Sequence, residues 1–598
     1  RCVRAVADAL PRDTAGRPCG YVFVQPVVRA DEAGVAFFDG FYFERTAAAG
    51  GNFALTAGQA RGRVERGQLR RDDPWSDWLR RVYAVFGRRD PVIDVEYARH
   101  GPGYVLLQCR PALFGVRRNP TLTLANHRET LGDLPSPWTV STMAAAAKDL
   151  SYLAAVEPAI GRWDECYAVE AAGRPWLNLS FFFRWLDHIG LPRAWATASV
   201  GGEVGGPADR RVLWERLLRA GPKLTCQIPQ AIHKVASSRA ALAELDRQID
   251  AADGPAGLFR VTVGAWVMGI HTALSIAGLM AFVSSVRLAL RLPSAARLVT
   301  HDLMAGYDRL TTLPDPAARA AGLDAWLSRH GHRGPFESDV ARPRFAELRD
   351  VLLRDLTATP VRPAAPEPPR RRLGMLLRPL YGLDEWREWF RDEFMRRWQR
   401  LRQRLLAEGA ELVAAGELDR AGDVFWLHGD DLAAARPLRE SVAERRRLAE
   451  TYRRLPLPLT ASLDEIERVV TAADTGPAVA DGRRVFPGIA LSPAVVEGVV
   501  RKADDLTALL AGGSPLDGNT VLVVPTLEPS WAVVFPRVLG VVAEVGGELS
   551  HASILLREAR KPAVVNCAGV YAHVRDGDRL RIDGARGRVE RLTQVSAP

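Results

Sequence analysis

The residues best placed to do chemistry lie in the run Val542-Ala543-Glu544-Val545-Gly546-Gly547-Glu548-Leu549-Ser550-His551-Ala552-Ser553-Ile554-Leu555-Leu556-Arg557-Glu558. It reads as a short apolar strand, a double glycine, Ser-His, and then a helix whose apolar residues Ala552, Ile554 and Leu555 recur at helical spacing. Ser550 suits the N-cap, which puts the His551 imidazole at the first helical turn. Unpaired backbone N–H groups and the helix dipole favour an anion there. Gly546 and Gly547 let a bulky phosphate approach the backbone. An imidazole with a pKa of about 6.5 is mostly neutral near pH 7 and can attack phosphorus. The expected product is a phosphohistidine held by the helix N-terminus. The competing reading is a buried histidine in a strand–turn–helix unit.

Two other clusters carry chemical potential. The strands Val92–Ala98 and Tyr104–Arg110 flank Arg99-His100-Gly101-Pro102-Gly103, a hairpin signature. Alternation puts Asp94 and Glu96 on one face of the first strand and Gln108 and Arg110 on one face of the second, nearly opposite. Glu96 could hold Mg²⁺ and Arg110 a phosphate, or the face could simply meet solvent. In Gly331-His332-Arg333-Gly334, His332 is a candidate acid/base and Arg333 a candidate anion clamp, with Glu337 and Asp339 to orient them. A loop capped by its own polar residues fits that pattern equally well.

The elements that must position these groups differ along the chain. Up to about residue 115 the pattern is β-rich, with strands at Tyr21–Gln25, Val35–Phe38 and Phe41–Phe43 and a helix over Ser76–Phe86. From about 116 to 480 it is mostly helical, for example over Arg210–Ala220, Ala236–Ala252 and Glu385–Gly409. Thr357–Arg372, rich in Pro and Arg, reads as a mobile loop, and Ala472–Gly482 has the composition of a hinge.

The net charge of +10 comes mostly from arginines interleaved with acids on helix faces, without stacking aromatics or finger spacing, so no nucleic-acid partner is expected. Six cysteines without a Cys-x-x-Cys pair indicate neither a disulfide framework nor zinc, and fit a cytoplasmic location. Val261–Val286 has no charged residue and the length of a membrane span. Its glycines and serines point instead to a buried helix of a large α-domain, so stable membrane insertion is not expected.

The His551 segment resembles the swivelling phosphohistidine domain of phosphoenolpyruvate-utilising enzymes, whose members include phosphoenolpyruvate synthase, pyruvate phosphate dikinase and rifampin phosphotransferase. The resemblance rests on Glu544, Gly546, Gly547, Ser550, His551, Ala552, Ile554, Arg557, Glu558 and Pro562-Ala563-Val564-Val565. Ala543, Ser553 and Arg560-Lys561 depart from the pattern without touching the nucleophile. Ser492–Gly498, Val521–Val524 and Ile582-Asp583-Gly584 are similar to its flanking strands. Asp94-Val95-Glu96-Tyr97 with Gln108-Cys109-Arg110-Pro111, and Val24-Gln25-Pro26, resemble the last third of the family's ATP-grasp domain. The family's Gly-Leu-Gly-Glu loop is not recognisable around Ala47–Thr56. Four patches resemble the middle domain of rifampin phosphotransferase-like proteins: Asn126–Glu129 with Pro135-Ser136-Pro137; Gly173–Ser180; Gly331–Gly334 with Glu337 and Pro343-Arg344; and Asp423–Leu427.

The resemblance implies a multidomain α+β chain: a partial ATP-grasp domain over 1–115, a large mostly α-helical acceptor domain over 116–480, and a swivelling β/α phosphohistidine domain over 486–595. It implies ATP and Mg²⁺ as cofactors, with Gln25, Gln108 and Arg110 on the nucleotide, Glu96 on the metal, and Gly546, Gly547 and Ser550 around the phosphoryl group. His551 would take a phosphoryl from ATP, with release of AMP and phosphate. It would then pass that group to a small-molecule hydroxyl acceptor beside His332 and Arg333. A missing N-terminal segment or a partner chain is expected to complete the ATP site. The pyruvate-binding barrel of phosphoenolpyruvate synthase is not expected, which leaves a synthase-like enzyme without its barrel as one alternative. The other alternative is a partner-dependent or non-catalytic phosphocarrier.

Overall fold

A computed structural model gives the fold. It describes residues 30–49, 62–70, 73–87, 92–112, 116, 118–156, 160, 163, 165–189, 193, 228–289, 299–359, 361, 379–433, 436–471, 484–492, 494–511, 516–546, 551–559 and 561–593. The chain divides into two compact units, Arg1–Pro120 and Thr121–Pro598. The expected strand with Gln25, the helix over Arg210–Ala220, the Ala472–Gly482 hinge, most of the Thr357–Arg372 loop, and Gly547 with Ser550 lie outside the described residues.

The first unit is an antiparallel sheet of β1 (Glu32–Phe38), β2 (Tyr42–Ala49), β3 (Arg63–Gln68), β4 (Ile93–His100) and β5 (Gly103–Pro111), in the order β3-β2-β1-β4-β5. One helix, Pro74–Phe86, covers one face. Its N-cap Asp73 accepts from the Ser76 N–H, and a proline opens the first turn. Trp75, Trp78, Leu79 and Val82 of this helix meet Ala36, Phe38, Ile93, Val95 and Tyr97 from alternate strand positions. Strand alternation therefore turns Asp94 and Glu96 to the face opposite this helix.

The second unit begins with a small sheet absent from the sequence expectation of a mostly helical region. It is made of β6 (Thr121–Thr123), β7 (Ala168–Ala171), β8 (Arg174–Asn178) and β9 (Thr460–Ser462), in the order β7-β8-β6-β9. β9 lies more than 280 residues after β8, a pairing that local pattern cannot reveal. Helices Ile228–Ala251, Gly254–Ala289 and Pro379–Ala414 pack together around Trp138, Leu245, Leu258, Phe394, Trp398 and Leu405. Within the described residues one helical stretch, Gly254–Ile276, is long and apolar enough to cross a membrane. It contacts three helices, yet a third of it is buried, less than expected of a central helix.

The C-terminal part is a mixed eight-stranded sheet: β10 (Val485–Pro487), β11 (Ile489–Ala490), β12 (Val495–Lys502), β13 (Thr520–Thr526), β14 (Gly540–Val545), β15 (Ala563–Val565), β16 (Arg579–Asp583) and β17 (Arg588–Thr593). The order is β10-β17-β16-β12-β13-β14-β15-β11, with β12 to β15 parallel. The Val521–Val524 and Val541–Ala543 runs are wholly buried, as central parallel strands require. One face of this sheet shares its core with the preceding helices. Leu303, Tyr307, Leu323, Trp326, Leu352 and Leu356 pack in one cluster with Leu506, Leu509, Val524, Trp531, Phe535 and Leu555. At its edge the buried Arg537 pairs with Asp355 at 2.8 Å, and Tyr307 donates to the same carboxylate at 3.1 Å.

Candidate active site

His551 is the first residue of the helix His551–Glu558, six residues after β14. The helix is fixed on the sheet by buried Ser553, Leu555 and Leu556. A Cβ on Gly546 would meet the Val565 Cβ at 3.0 Å, so this glycine is needed where strand β14 leaves its neighbour β15. In a parallel sheet all carboxyl ends lie at one edge, where loops collect to form sites. The His551 helix start, Asp505 after β12 and Glu528 after β13 therefore share an edge.

That edge meets the loop that follows Gly331–Gly334. Glu528 is buried, accepts from the Ser530 N–H at 2.9 Å and from the backbone of Phe336, and lies near Glu337. Burial pushes its carboxyl up to about 7, and the charge of Glu337 adds to the rise. Asp505 reaches Arg342 at 3.7 Å. The Ala125–Leu131 helix packs beside β14.

Within the loop, His332 and Arg333 are both 4 % exposed. The Arg333 guanidinium forms a fork on Glu337 at 2.6 and 2.8 Å and lies 3.4 Å from Asp392. His332 Nε2 bonds Asp392 at 2.8 Å. Burial opposes ionisation of Glu337, but the charges of Arg333 and Arg391 prevail and hold its carboxyl down to about 2. This patch, expected as an acid/base beside an anion clamp, is thus held in a buried ion network. In the Asn126–Glu129 patch, His127 is buried against the Pro175 carbonyl, and burial drives its pKa down to about 4, so its ring is neutral.

The four middle-domain patches nevertheless converge. They wall a cavity of about 850 Å³. Ser136 and Pro137 contribute from one patch, Gly173 from the second, Asp339 and Pro343 from the third, and Phe425 and Trp426 from the fourth. Asp339 ties two of them together, accepting from the Ser136 N–H at 3.0 Å, the Ser136 hydroxyl at 2.6 Å and the Thr139 hydroxyl at 2.8 Å. The buried Arg174 staples a third through Asp133 at 2.9 Å and the Tyr452 carbonyl at 3.1 Å. Neither His332 nor Arg333 lines this space. Arg342, Arg402, His428, Glu170 and Tyr452 do, and sequence reasoning singled out none of them. His428 accepts the Asp430 N–H on Nδ1, so its Nε2 carries the proton donated to Glu170 at 3.1 Å. The only sequence signal for Arg342 was its place beside Pro343-Arg344.

In the first unit the hairpin register pairs Asp94 with Arg110 and Glu96 with Gln108, as alternation required. Past Glu96 the register slips by one residue, so Tyr97 faces Leu106. The Arg110 side chain, 59 % exposed, donates to the buried Asp94 at 2.8 Å. The other Asp94 oxygen is buried without a partner among the described residues. Among the described residues no group of three or more His, Cys, Asp or Glu is arranged to hold a metal ion. Two carboxylates with Gln108 fit a hard cation that takes its remaining oxygens from phosphate and water.

Comparison with known proteins gives this architecture its place. Residues 516–587 match the model of the PEP-utilising enzyme mobile domain. The C-terminal part of the chain is a PEP-utilising enzyme mobile domain. Residues 281–375, which hold the helices sharing a core with this mobile domain, match the rifampicin phosphotransferase fourth domain. The chain is 28 % identical over 321 residues to a rifampicin phosphotransferase of Streptomyces sviceus, covering 48 % of this chain and 36 % of that protein. It is 28 % identical over 193 residues to one of Bacillus subtilis, covering 32 % and 21 %. It is 31 % identical over 316 residues to an uncharacterised protein of Mycobacterium tuberculosis, covering 51 % and 36 %. The chain spans about a third of the length of the Streptomyces sviceus and Mycobacterium tuberculosis relatives.

Proposed function

We propose that the protein is a cytoplasmic phosphotransferase that carries a phosphoryl group from ATP on His551 to a hydroxyl of a small molecule in the 850 Å³ cavity. The observation that carries this reading is the shared edge of the mobile domain. The His551 helix start lies on the same edge as Asp505 and Glu528, and those two meet the loop that walls the cavity. The volume suits a drug-sized ligand. Apolar Leu134, Pro137, Val140 and Trp426 would take its carbon frame and the polar residues its hydroxyls. Relatives named rifampicin phosphotransferase make a bulky hydroxylated compound of that kind the first acceptor to try.

Glu96, Gln108 and the partnerless oxygen of Asp94 would hold Mg²⁺, and Arg110 would turn from Asp94 to phosphate. Bound there, the metal would neutralise phosphate charge during transfer. His551 supplies the nucleophile, and its helix start stabilises the anion it carries.

The test is labelling with β-³²P-ATP. Protein whose ATP site is complete is expected to gain acid-labile, base-stable label, and His551→Ala in the same setting to gain none. Undiminished label in His551→Ala would overturn the assignment.

A further inference from the structure

We propose that Arg342 is the catalytic cation of the acceptor station, held in reserve by Asp505 of the mobile domain until a phosphoryl group arrives. The inference rests on the function proposed above and names a residue for it. Transfer to a hydroxyl breaks the phosphorus–nitrogen bond to His551 and forms a phosphorus–oxygen bond. The imidazole nitrogen keeps the electron pair and receives the hydroxyl proton. The moving phosphoryl needs a cation that is present at the cavity and not already saturated.

The arginines around the cavity differ in this respect. Arg402 is taken by Glu347 at 2.8 Å and by the carbonyls of Val340 and Ala341. Arg453 is paired with Glu450 at 2.7 Å. Arg445 is held as loosely as Arg342, 3.6 Å from Asp431, but that partner belongs to the helical part and not to the mobile domain. Arg342 stands 3.8 Å from Asp339 and 3.7 Å from Asp505, both beyond hydrogen-bond length, with its guanidinium 5.4 Å over the Phe336 ring. It is one-third exposed, lines the cavity, and faces the edge from which His551 starts its helix. A planar fork held by two loose ionic contacts and one ring can turn to a phosphoryl at small cost, and a dianion outbids the single charge of Asp505.

The test follows label on His551 in the native protein, first its gain from β-³²P-ATP and then its loss, to rifampicin as the probe acceptor or to water. Arg342→Gln is expected to gain label within about twofold of wild type and to lose it about 100-fold more slowly. Arg342→Lys keeps the charge but not the fork and should lose label about tenfold more slowly. Asp505→Asn should not slow the loss. Loss at the wild-type rate in Arg342→Gln would overturn the proposal, as would an equal fall in both steps. If Arg342→Gln does not fold, Arg342→Lys and Asp505→Asn decide. Equal slowing in those two would make the pair a docking contact and nothing more. A wild-type protein that never labels His551 would sink the function itself, and the role of Arg342 with it.

Discussion

Arg110 on β5 and Arg333 in the loop after the Pro316–His330 helix carry the same pattern, a guanidinium beside acids, and each was a candidate anion clamp. Their surroundings separate them. The Arg110 side chain is 59 % exposed and pairs with Asp94, whose other oxygen has no partner among the described residues. That of Arg333 is 4 % exposed and is bound by Glu337 and Asp392 together. A pair with one exposed member can be exchanged for a ligand more easily. A buried pair of good geometry is strong against the loss of either member, and its geometry leaves no donor for a substrate. Similar chemistry therefore serves binding in one place and architecture in the other.

The largest effect should come from breaking the buried network. Arg333→Gln leaves Glu337 and Asp392 short of a cation and should destabilise the second unit by about 3 kcal/mol, measured by urea unfolding at pH 7. An unchanged midpoint would erase the contrast with Arg110. Next comes Glu528, whose folded pKa of about 7 lies above its ordinary 4.5. The folded form keeps a proton that the unfolded chain releases, so stability falls as pH rises from about 4.5 to about 7 and stays low above that. Glu528→Gln removes this penalty. It should raise stability by up to about 3 kcal/mol at pH 8 and change little at pH 4. A gain of equal size at both pH values would show that ionisation is not the cause. The smallest structural effect belongs to Arg110→Gln. It should leave the melting temperature unchanged while weakening Mg-ATP binding about tenfold, read by calorimetry. A fall in melting temperature as large as that of Arg333→Gln would place Arg110 in the architecture too.

Much of the local design was legible in the chain. Ser76–Phe86, Ala236–Ala252 and Glu385–Gly409 fall on helices, the last two on longer ones, Ile228–Ala251 and Pro379–Ala414, and Val35–Phe38 and the two hairpin strands fall on strands, because their apolar periods match the structures they adopt. The cross-strand pairing of Asp94 with Arg110 followed from alternation and a short loop. The four-stranded sheet did not, since β9 joins β6 and β8 from far along the chain and its three residues carry no period of their own. The role of the Gly331–Gly334 patch was equally hidden. Spacing gives residue types, whereas exposure depends on Asp392 and Arg391 of a helix about 60 residues away.

By itself the sequence determined that His551 opens a helix after a buried strand, because cap chemistry, glycines and periodicity are local properties of adjacent residues. It also determined which residues share one face of the hairpin. Only the tertiary structure decided which charged groups stay available. Arg333 and Arg342 lie nine residues apart in one loop, and no local rule tells them apart. Packing buries the first between two carboxylates and leaves the second at a cavity wall beside the mobile domain. Desolvation and pairing are set by neighbours distant in the chain, and for an ionic side chain they determine whether the charge holds the fold or waits for a ligand.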